Sequence, residues 1–287
     1  MGDGTLIVPL PGGGPAVQFV TVPEGPFPMG DVMDSSPEPD TRPVHEVFLA
    51  AYHIAVHPIT NEQFAWFTQA TSYMTTREHP GGGPPYWHQY AQPGRERHPV
   101  ICVNWVDVAA FATWARCRLP TEAEWEKAAR GGIERSDYPW GDEAPGDQCN
   151  WRGATVKPDV QELNGAGWGI TPVGAYPPNG YGLHDMSGNV WEWCSDAYAA
   201  SYYADSPTRN PKGPTADERG TDAPHVAWQD DDHLAADPEV YRAIRGGCRE
   251  NNTFGIRCCE RIYARAGSHR KPLVGGGRLA MDLDAWW

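Results

Sequence analysis

Cysteine is the residue type in this sequence with the widest range of possible chemistry. Seven cysteines occur, and three of them, Cys248, Cys258 and Cys259, lie close together near the C-terminus. The thiolate form of cysteine is a nucleophile and a ligand for soft metal ions. The alternative is that each of these thiols is a small apolar side chain within the core. This trio is therefore the first candidate for chemistry.

Two carboxylates form a second candidate site. Asp185 and Glu192 lie seven residues apart in a segment that contains Gly188 and is typical of a turn. Backbone carbonyls lie between the two side chains, and calcium prefers such hard oxygen ligands. The alternative is a hydrogen-bonded turn network that holds no metal ion.

Short helices and extended segments must position these residues. Thr60 and Thr121 each begin a capping box, and Asn104 can cap a helix that runs to about Arg116. The helix after Thr121 is expected to end at Gly131, because glycine readily adopts the left-handed conformation of a helix end. These signals predict helices of only a few turns each.

The remaining chain divides into extended and polar regions. Residues 17–30 are typical of a strand that enters a turn, and residues 44–56 of a second extended region. Residues 204–238 are polar and acidic, which predicts a solvated insertion. We expect an N-terminal extension at 1–16, followed by one domain over 17–287.

Composition limits the possible function. The 32 Gly, 28 Pro and 13 Trp among 287 residues favour a compact fold rich in turns and loops. A net charge of -14 argues against nucleic acid or an anionic membrane surface as a partner. The N-terminal residues lack a basic start and a long apolar stretch, so we expect a cytoplasmic protein.

The order of short motifs resembles the formylglycine-generating-enzyme, or sulfatase-modifying-factor, superfamily. The segment Arg118-Leu-Pro-Thr-Glu-Ala-Glu-Trp-Glu-Lys-Ala-Ala-Arg-Gly131 is nearly identical to the central motif of that family. The seven matching segments lie, in family order, at 25–30, 58–64, 98–107, 118–131, 138–142, 182–193 and 245–247. The resemblance implies an α+β, C-type-lectin-like fold that is loop-rich, with few short helices and small antiparallel sheets.

The resemblance also implies a structural calcium ion. The segment 185–192 is similar to a calcium-binding stretch of the family, in which Asp185 and Glu192 would supply side chains. Gly188 and Val190 would supply backbone carbonyls. A second family calcium site would involve Asn150, although the surrounding sequence departs from the family there.

A pocket is implied beside this segment. Trp191 is similar to a tryptophan that lines the pocket in relatives, and Arg257 and Arg261 could bind an anionic ligand there. The alternative for all three residues is core packing and hydrogen bonding.

The family's oxidases use two cysteines, five residues apart after an R-G-G-S turn, to bind Cu(I) and activate O₂. Here the turn reads Arg245-Gly-Gly-Cys248, and the position of the second family cysteine falls near Thr253. The pair is therefore not preserved in register, which argues against the oxidation of a protein cysteine to formylglycine. Cys248 could still meet Cys258 or Cys259 in space as a metal-binding or redox dithiol.

The C-terminal segment 269–282 is similar to the ergothioneine-pathway sulfoxide synthases, which use non-haem iron. In those relatives the iron ligands come largely from a separate helical domain with an H-x-x-x-H motif. His53 and His57 have this spacing, but they lie in an extended segment, where the ligand geometry differs.

Two hypotheses therefore stay open. The first, which family resemblance and Cys248 favour, is an oxidoreductase that depends on O₂ and on Cu or Fe and acts at sulfur on a small-molecule or peptide thiol. The other is a ligand-binding module that keeps the fold without the chemistry. Because one fold hosts many functions, the fold by itself does not choose between them.

Overall fold

The computed structural model describes residues 5–155, 169–214, 240–268 and 274–283. Within these ranges, short strands and helices are joined by long loops. The strands are β1 (Leu6–Pro9), β2 (Ala16–Val22), β3 (Gly25–Met29), β4 (His45–Leu49), β5 (Tyr52–Ala55), β6 (Trp191–Ala197), β7 (Tyr241–Arg245), β8 (Arg261–Arg265), β9 (Val274–Gly275) and β10 (Ala280–Asp282). The helices are α1 (Asn61–Thr71), α2 (Trp105–Trp114), α3 (Glu122–Arg130) and α4 (Tyr202–Asp205), with 3₁₀ turns at Pro39–Thr41 and Trp87–Gln89.

The first sheet has the antiparallel order β1-β2-β5-β10. Strand β2 alternates in burial from Ala16 to Phe19, with Val17 and Phe19 facing the core, and Val22 at the end of the strand is also buried. Strand β1 lies within the predicted extension 1–16 and pairs with β2, so that Leu6 lies opposite Phe19. Part of the predicted extension is therefore a strand of this sheet.

The two predicted extended regions are each divided into two strands. Residues 17–30 contain β2 and β3, separated at Pro23, and residues 44–56 contain β4 and β5. Proline lacks a backbone N–H, and Gly25 has a φ of 137°, so the chain turns between β2 and β3. Strands β3 and β4 then pair as a two-stranded antiparallel sheet.

The capping signals in the sequence correctly predicted where the helices begin. Thr60, Asn104 and Thr121 each accept a hydrogen bond from a backbone N–H of the first turn, and all three capping boxes are complete. Helix α3 ends at Gly131, whose φ is 58°, as predicted. Helix α2 ends two residues before Arg116, whose φ of 57° is incompatible with a right-handed helix.

The first part of the predicted insertion 204–238 is bound to the domain. The backbone N–H of Phe48 donates to the carbonyl of Thr208, and the N–H of Asn210 donates to the carbonyl of Phe48. This segment therefore lies along the edge of β4, where residues 207–210 are exposed. Residues 215–238 of the insertion lie outside the described residues.

The third sheet has the order β8-β7-β6-β9 and carries the residues of interest. Strands β6 and β7 are antiparallel, with Glu192 opposite Arg245. Helix α3 packs against both strands. In the described part of the chain, no helix is long and apolar enough to cross a membrane.

Candidate functional site

The turn after Arg245 lies against the segment that precedes Trp191, as the motif order predicts. Strand pairing places Glu192 opposite Arg245, so the ends of β6 and β7 meet. The N–H of Gly188 donates to the carbonyl of Gly246 over 2.8 Å. The predicted calcium segment, residues 185–192, and the turn that carries Cys248 therefore lie at the same end of strands β6 and β7.

Cys248 and Trp191 belong to one buried core, which we call the Trp191 core. It also contains Phe111 and Trp193, and both Cys248 and Trp191 are only 6% exposed. The N–H of Cys248 donates to the side-chain oxygen of Asn251 over 2.8 Å, which holds the turn in place. The structure thus brings Cys248 to the core around Trp191.

Cys258 lies in a different core, which we call the Trp125 core because it surrounds Trp125. Its side chain is fully buried, and burial raises the pKa of its thiol to about 12. Burial also raises the pKa of the Cys259 thiol. None of the seven cysteines forms a disulfide bond. Cys248 and Cys258 pack in separate cores, which argues against a dithiol formed by these two residues. A dithiol of Cys248 and Cys259 stays a prediction.

The two predicted anion-binding arginines are held by protein groups. The Arg261 guanidinium forms two hydrogen bonds, of 2.8 and 2.7 Å, with the carboxylate of Glu122, and its side chain has no exposed surface. This buried pair corrects the expected role of Arg261, because the guanidinium already has its anion. Arg257 donates to the carbonyl of Ser35 over 2.6 Å and lies 3.6 Å from the carboxylate of Asp137.

A buried ion network joins helix α3 to strands β7 and β8. Arg245 donates to Glu122 over 3.1 Å and to Glu126 over 2.5 Å. Arg130 also donates to Glu126, over 2.7 Å. Burial alone would raise the pKa of Glu126, but the guanidinium groups of Arg130 and Arg245 outweigh burial and lower it. These glutamates lie in the central motif, yet the sequence does not reveal that they face the core.

Glu192 has a cationic partner that the sequence analysis missed. Its carboxylate accepts hydrogen bonds from Nε and Nη2 of Arg278, at 2.8 and 2.7 Å. The indole N–H of Trp125 donates to the same carboxylate over 3.0 Å. Arg278 lies 86 residues further along the chain, and neither charged side chain has exposed surface. The negative charge of Glu192 is therefore already balanced.

Asp185 fits a cation better than Glu192 does. One oxygen of its carboxylate accepts the N–H of Gly174 over 2.8 Å, and it forms no ion pair with any described residue. Burial raises the pKa of Asp185, although the hydrogen bond from Gly174 and the positive charge of Arg278 act in the opposite direction. The predicted calcium ligands thus suit a calcium ion only in part. The Asp185 carboxylate has no ion-pair partner among the described residues, whereas the Glu192 carboxylate is already paired with Arg278.

Asn150 is hydrogen-bonded to the same segment. Its side-chain amide donates to the carbonyl of Gly169 over 2.9 Å and to the side-chain oxygen of Asn189 over 3.0 Å. Its carbonyl accepts the N–H of Asn189 over 2.7 Å. No group of three or more His, Cys, Asp or Glu side chains within the described ranges could hold a metal ion. Metal binding at Asn150 stays a prediction.

The loop-rich α+β architecture, with few short helices and small antiparallel sheets, is the C-type-lectin-like fold that the motifs predicted. Residues 9–283 match the family described as the sulfatase-modifying factor enzyme 1-like domain. The chain belongs to this family of formylglycine-generating enzymes and their relatives.

Individual relatives agree with this assignment. The formylglycine-generating enzyme of Streptomyces coelicolor is 37% identical, over 87% of this chain and 91% of its own length. An inactive C-alpha-formylglycine-generating enzyme 2 of Bos taurus is 36% identical, over 66% of this chain and 74% of its own length. The structure of PvdO from Pseudomonas aeruginosa superposes with a TM-score of 0.67 at 25% identity, covering 93% of this chain and 95% of that one.

Proposed function

We propose that this protein is a ligand-binding member of the family that does not carry out copper-dependent oxidation of thiols. The observation that supports this most directly is the packing of Cys248 and Cys258 in separate cores. A Cu(I) site of the family type needs two thiolates on one ion. The pKa of Cys258, raised by burial to about 12, disfavours its thiolate at neutral pH.

A relative supports the same proposal. The Bos taurus protein that is 36% identical to this chain is named as inactive. Family membership is therefore compatible with a protein that keeps the fold without the oxidation.

The second candidate is an oxidoreductase that acts at sulfur through Cys248. The position of Cys248 in the Trp191 core favours it, because the family resemblance places a tryptophan similar to Trp191 in the pocket. In this function the turn after Arg245 would hold one thiol beside Trp191, and a bound Cu or Fe ion would supply the chemistry with O₂.

One assay separates the two functions. Full-length protein loaded with Cu(I) or Fe(II) is incubated with a cysteine-containing peptide, and both aldehyde formation and O₂ uptake are measured. The Streptomyces coelicolor relative serves as the positive control. We expect neither product nor O₂ uptake. Turnover that is lost in Cys248→Ser but kept in the control Cys117→Ser would contradict the binding function and establish the oxidoreductase.

We also propose that Asp185, with the carbonyls of Gly188 and Val190, holds a structural calcium ion. The support is a buried carboxylate without an ion-pair partner among the described residues, in a turn with nearby carbonyls. Calcium added to EDTA-treated protein should raise the melting temperature, and Asp185→Asn should reduce this rise. An unchanged melting temperature on addition of calcium would contradict the proposal.

A further inference from the structure

A row of polar and sulfur-containing side chains crosses the first sheet. Thr21 on β2 lies opposite His53 on β5, and His53 lies opposite Met281 on β10. Neighbouring strands are about 4.8 Å apart, and side chains directly opposite one another lie on the same face of the sheet. The register therefore places the side chains of Thr21, His53 and Met281 next to one another.

Cys117 continues this row beyond β10. Arg118 and Ala280 form an antiparallel bridge, with N–H···O distances of 3.0 and 2.8 Å between their backbones. In an antiparallel pair, the residue before one partner lies beside the residue after the other, so Cys117 lies beside Met281. Both of these side chains pack against the Trp191 core, as this arrangement requires.

His53 lies on the same face of the sheet. Its neighbours Tyr52 and Ile54 pack in the Trp125 core, whereas Ala55 packs in the Trp191 core. Because side chains alternate between the two faces along a strand, His53 shares the face of Ala55. A thiol, a thioether and an imidazole thus come from three distant parts of the chain to neighbouring positions on one face.

The protonation states of these groups limit which ions they can hold. Burial lowers the pKa of His53, so its imidazole is neutral at pH 7. Nδ1 of His53 lies 3.1 Å from the Thr21 hydroxyl, and this hydrogen bond orients the ring for coordination through Nε2. Burial raises the pKa of the Cys117 thiol to about 12, so a metal ion must displace its proton into solvent. The thiol donates a long hydrogen bond of 3.5 Å to the carbonyl of Ala115, which binding would break.

We propose that Cys117, Met281 and His53 form a binding site for one Cu(I) ion. Thiolate and thioether sulfur are soft ligands that select Cu(I), and imidazole also binds copper. The side chains of Cys117 and Met281 are partly exposed, so the ion can reach them from solvent. The described residues contain no metal-binding group of three His, Cys, Asp or Glu side chains, and this site agrees with that finding because its third donor is a thioether.

The charges beside the site do not oppose a bound cation. The guanidinium of Arg118 is paired with the carboxylates of Glu124 and Asp282, at 2.6 Å each. The three donors also lie outside the third sheet, which carries Cys248. This inference therefore goes beyond the proposed binding function, and it assigns no oxidation to the ion.

The first test follows Met281 directly by NMR. Full-length protein with ¹³C-labelled methionine methyl groups is titrated with Cu(I) in the absence of oxygen, and Met281→Leu and Met74→Leu assign the two signals. We expect the Met281 signal to move until one equivalent has been added. The signal of Met74, whose side chain is exposed, should stay in place. A Met281 signal that does not move at one equivalent would overturn the proposal.

Variants locate the binding, with Cu(I) affinity measured by competition with bicinchoninate. Loss of a hydrogen-bond partner of a metal ligand already costs about tenfold in affinity, so loss of a ligand should cost at least as much. We expect this loss in Met281→Leu, Cys117→Ser and His53→Gln. The matched control Met74→Leu and the variant Cys248→Ser should keep the affinity of the wild type.

Thermal unfolding checks that each variant is folded. Leucine is close to methionine in volume, so Met281→Leu keeps the test decisive if another variant does not fold. Wild-type affinity in folded Met281→Leu, or a loss of affinity in Cys248→Ser, would overturn the assignment. The thiol-oxidation assay detects a product, whereas this titration detects a bound ion, so the two proposals can fail separately.

Discussion

At the scale of single residues, Asp196 on strand β6 is a buried carboxyl group next to Glu122. It is 3% exposed, and the Ser195 hydroxyl donates to it over 2.9 Å. Burial, with a contribution from the charge of Glu122, raises the pKa of Asp196 to about 8 from an ordinary value of 3.8. Between these values the folded protein holds a proton that the unfolded chain has lost. The free energy of unfolding therefore falls as pH rises from about 4 to about 8.

We predict that Asp196→Asn reduces this pH dependence. Asparagine has nearly the same shape but carries no charge, so the variant should gain stability relative to wild type as pH rises towards 8. Denaturant unfolding at several pH values measures the effect. The control is Asp205→Asn, which changes an exposed residue. A difference in stability between variant and wild type that does not change with pH would contradict the prediction.

At the scale of elements, helix α3 connects the core to the third sheet. Its carboxylates hold the arginines of β7 and β8, and the whole helix is buried. The helix ends at Gly131, where a β-carbon would lie 2.9 Å from the backbone nitrogen of Gly180. The φ of 58° at this position also disfavours residues with a side chain.

We predict that Gly131→Ala destabilises the protein by about 1 kcal/mol or more, through backbone strain and this close contact. Thr121→Ala, at the other end of α3, should cost about 1 kcal/mol through loss of the N-cap. Denaturant unfolding measures both changes. The matched control is Gly83→Ala, because a β-carbon there would meet no atom within 4 Å. Equal effects of the two glycine substitutions would contradict this explanation of the helix end.

At the scale of the whole molecule, the distribution of charge is uneven. The buried carboxylates of Glu122, Glu126 and Glu192 are balanced by arginines. The net charge of -14 therefore comes from charged residues outside this network. Mutual repulsion among exposed charges of one sign destabilises a compact protein and is screened by salt.

We predict that sodium chloride raises the melting temperature at pH 7. An increase from low salt to about 0.15 M is enough to produce this rise, because the Debye screening length falls to about 8 Å at 0.15 M. Thermal unfolding in EDTA measures the shift without interference from calcium. Near pH 5.1, the isoelectric point of the sequence, the shift should nearly disappear. A melting temperature that falls with salt at pH 7 would contradict the prediction.

The sequence by itself determined the local structure and the family. The caps at Thr60, Asn104 and Thr121 could be predicted because an N-cap depends on groups within a few residues along the chain. The order of the motifs determined the fold, and the match over residues 9–283 confirms the family. A turn within residues 17–30 was predicted, but its position at Pro23 and the strand β3 after it were not, although proline and glycine signal the turn locally.

Only the tertiary structure decided which partners the candidate site residues have. Whether Cys248 meets Cys258 depends on which core each enters, and separations along the chain do not determine that. The partner of Glu192 is Arg278, and that of Arg261 is Glu122, 139 residues earlier in the chain. Contacts between residues so far apart arise from the packing of whole elements. A buried charge must be paired, but the sequence does not state with which residue.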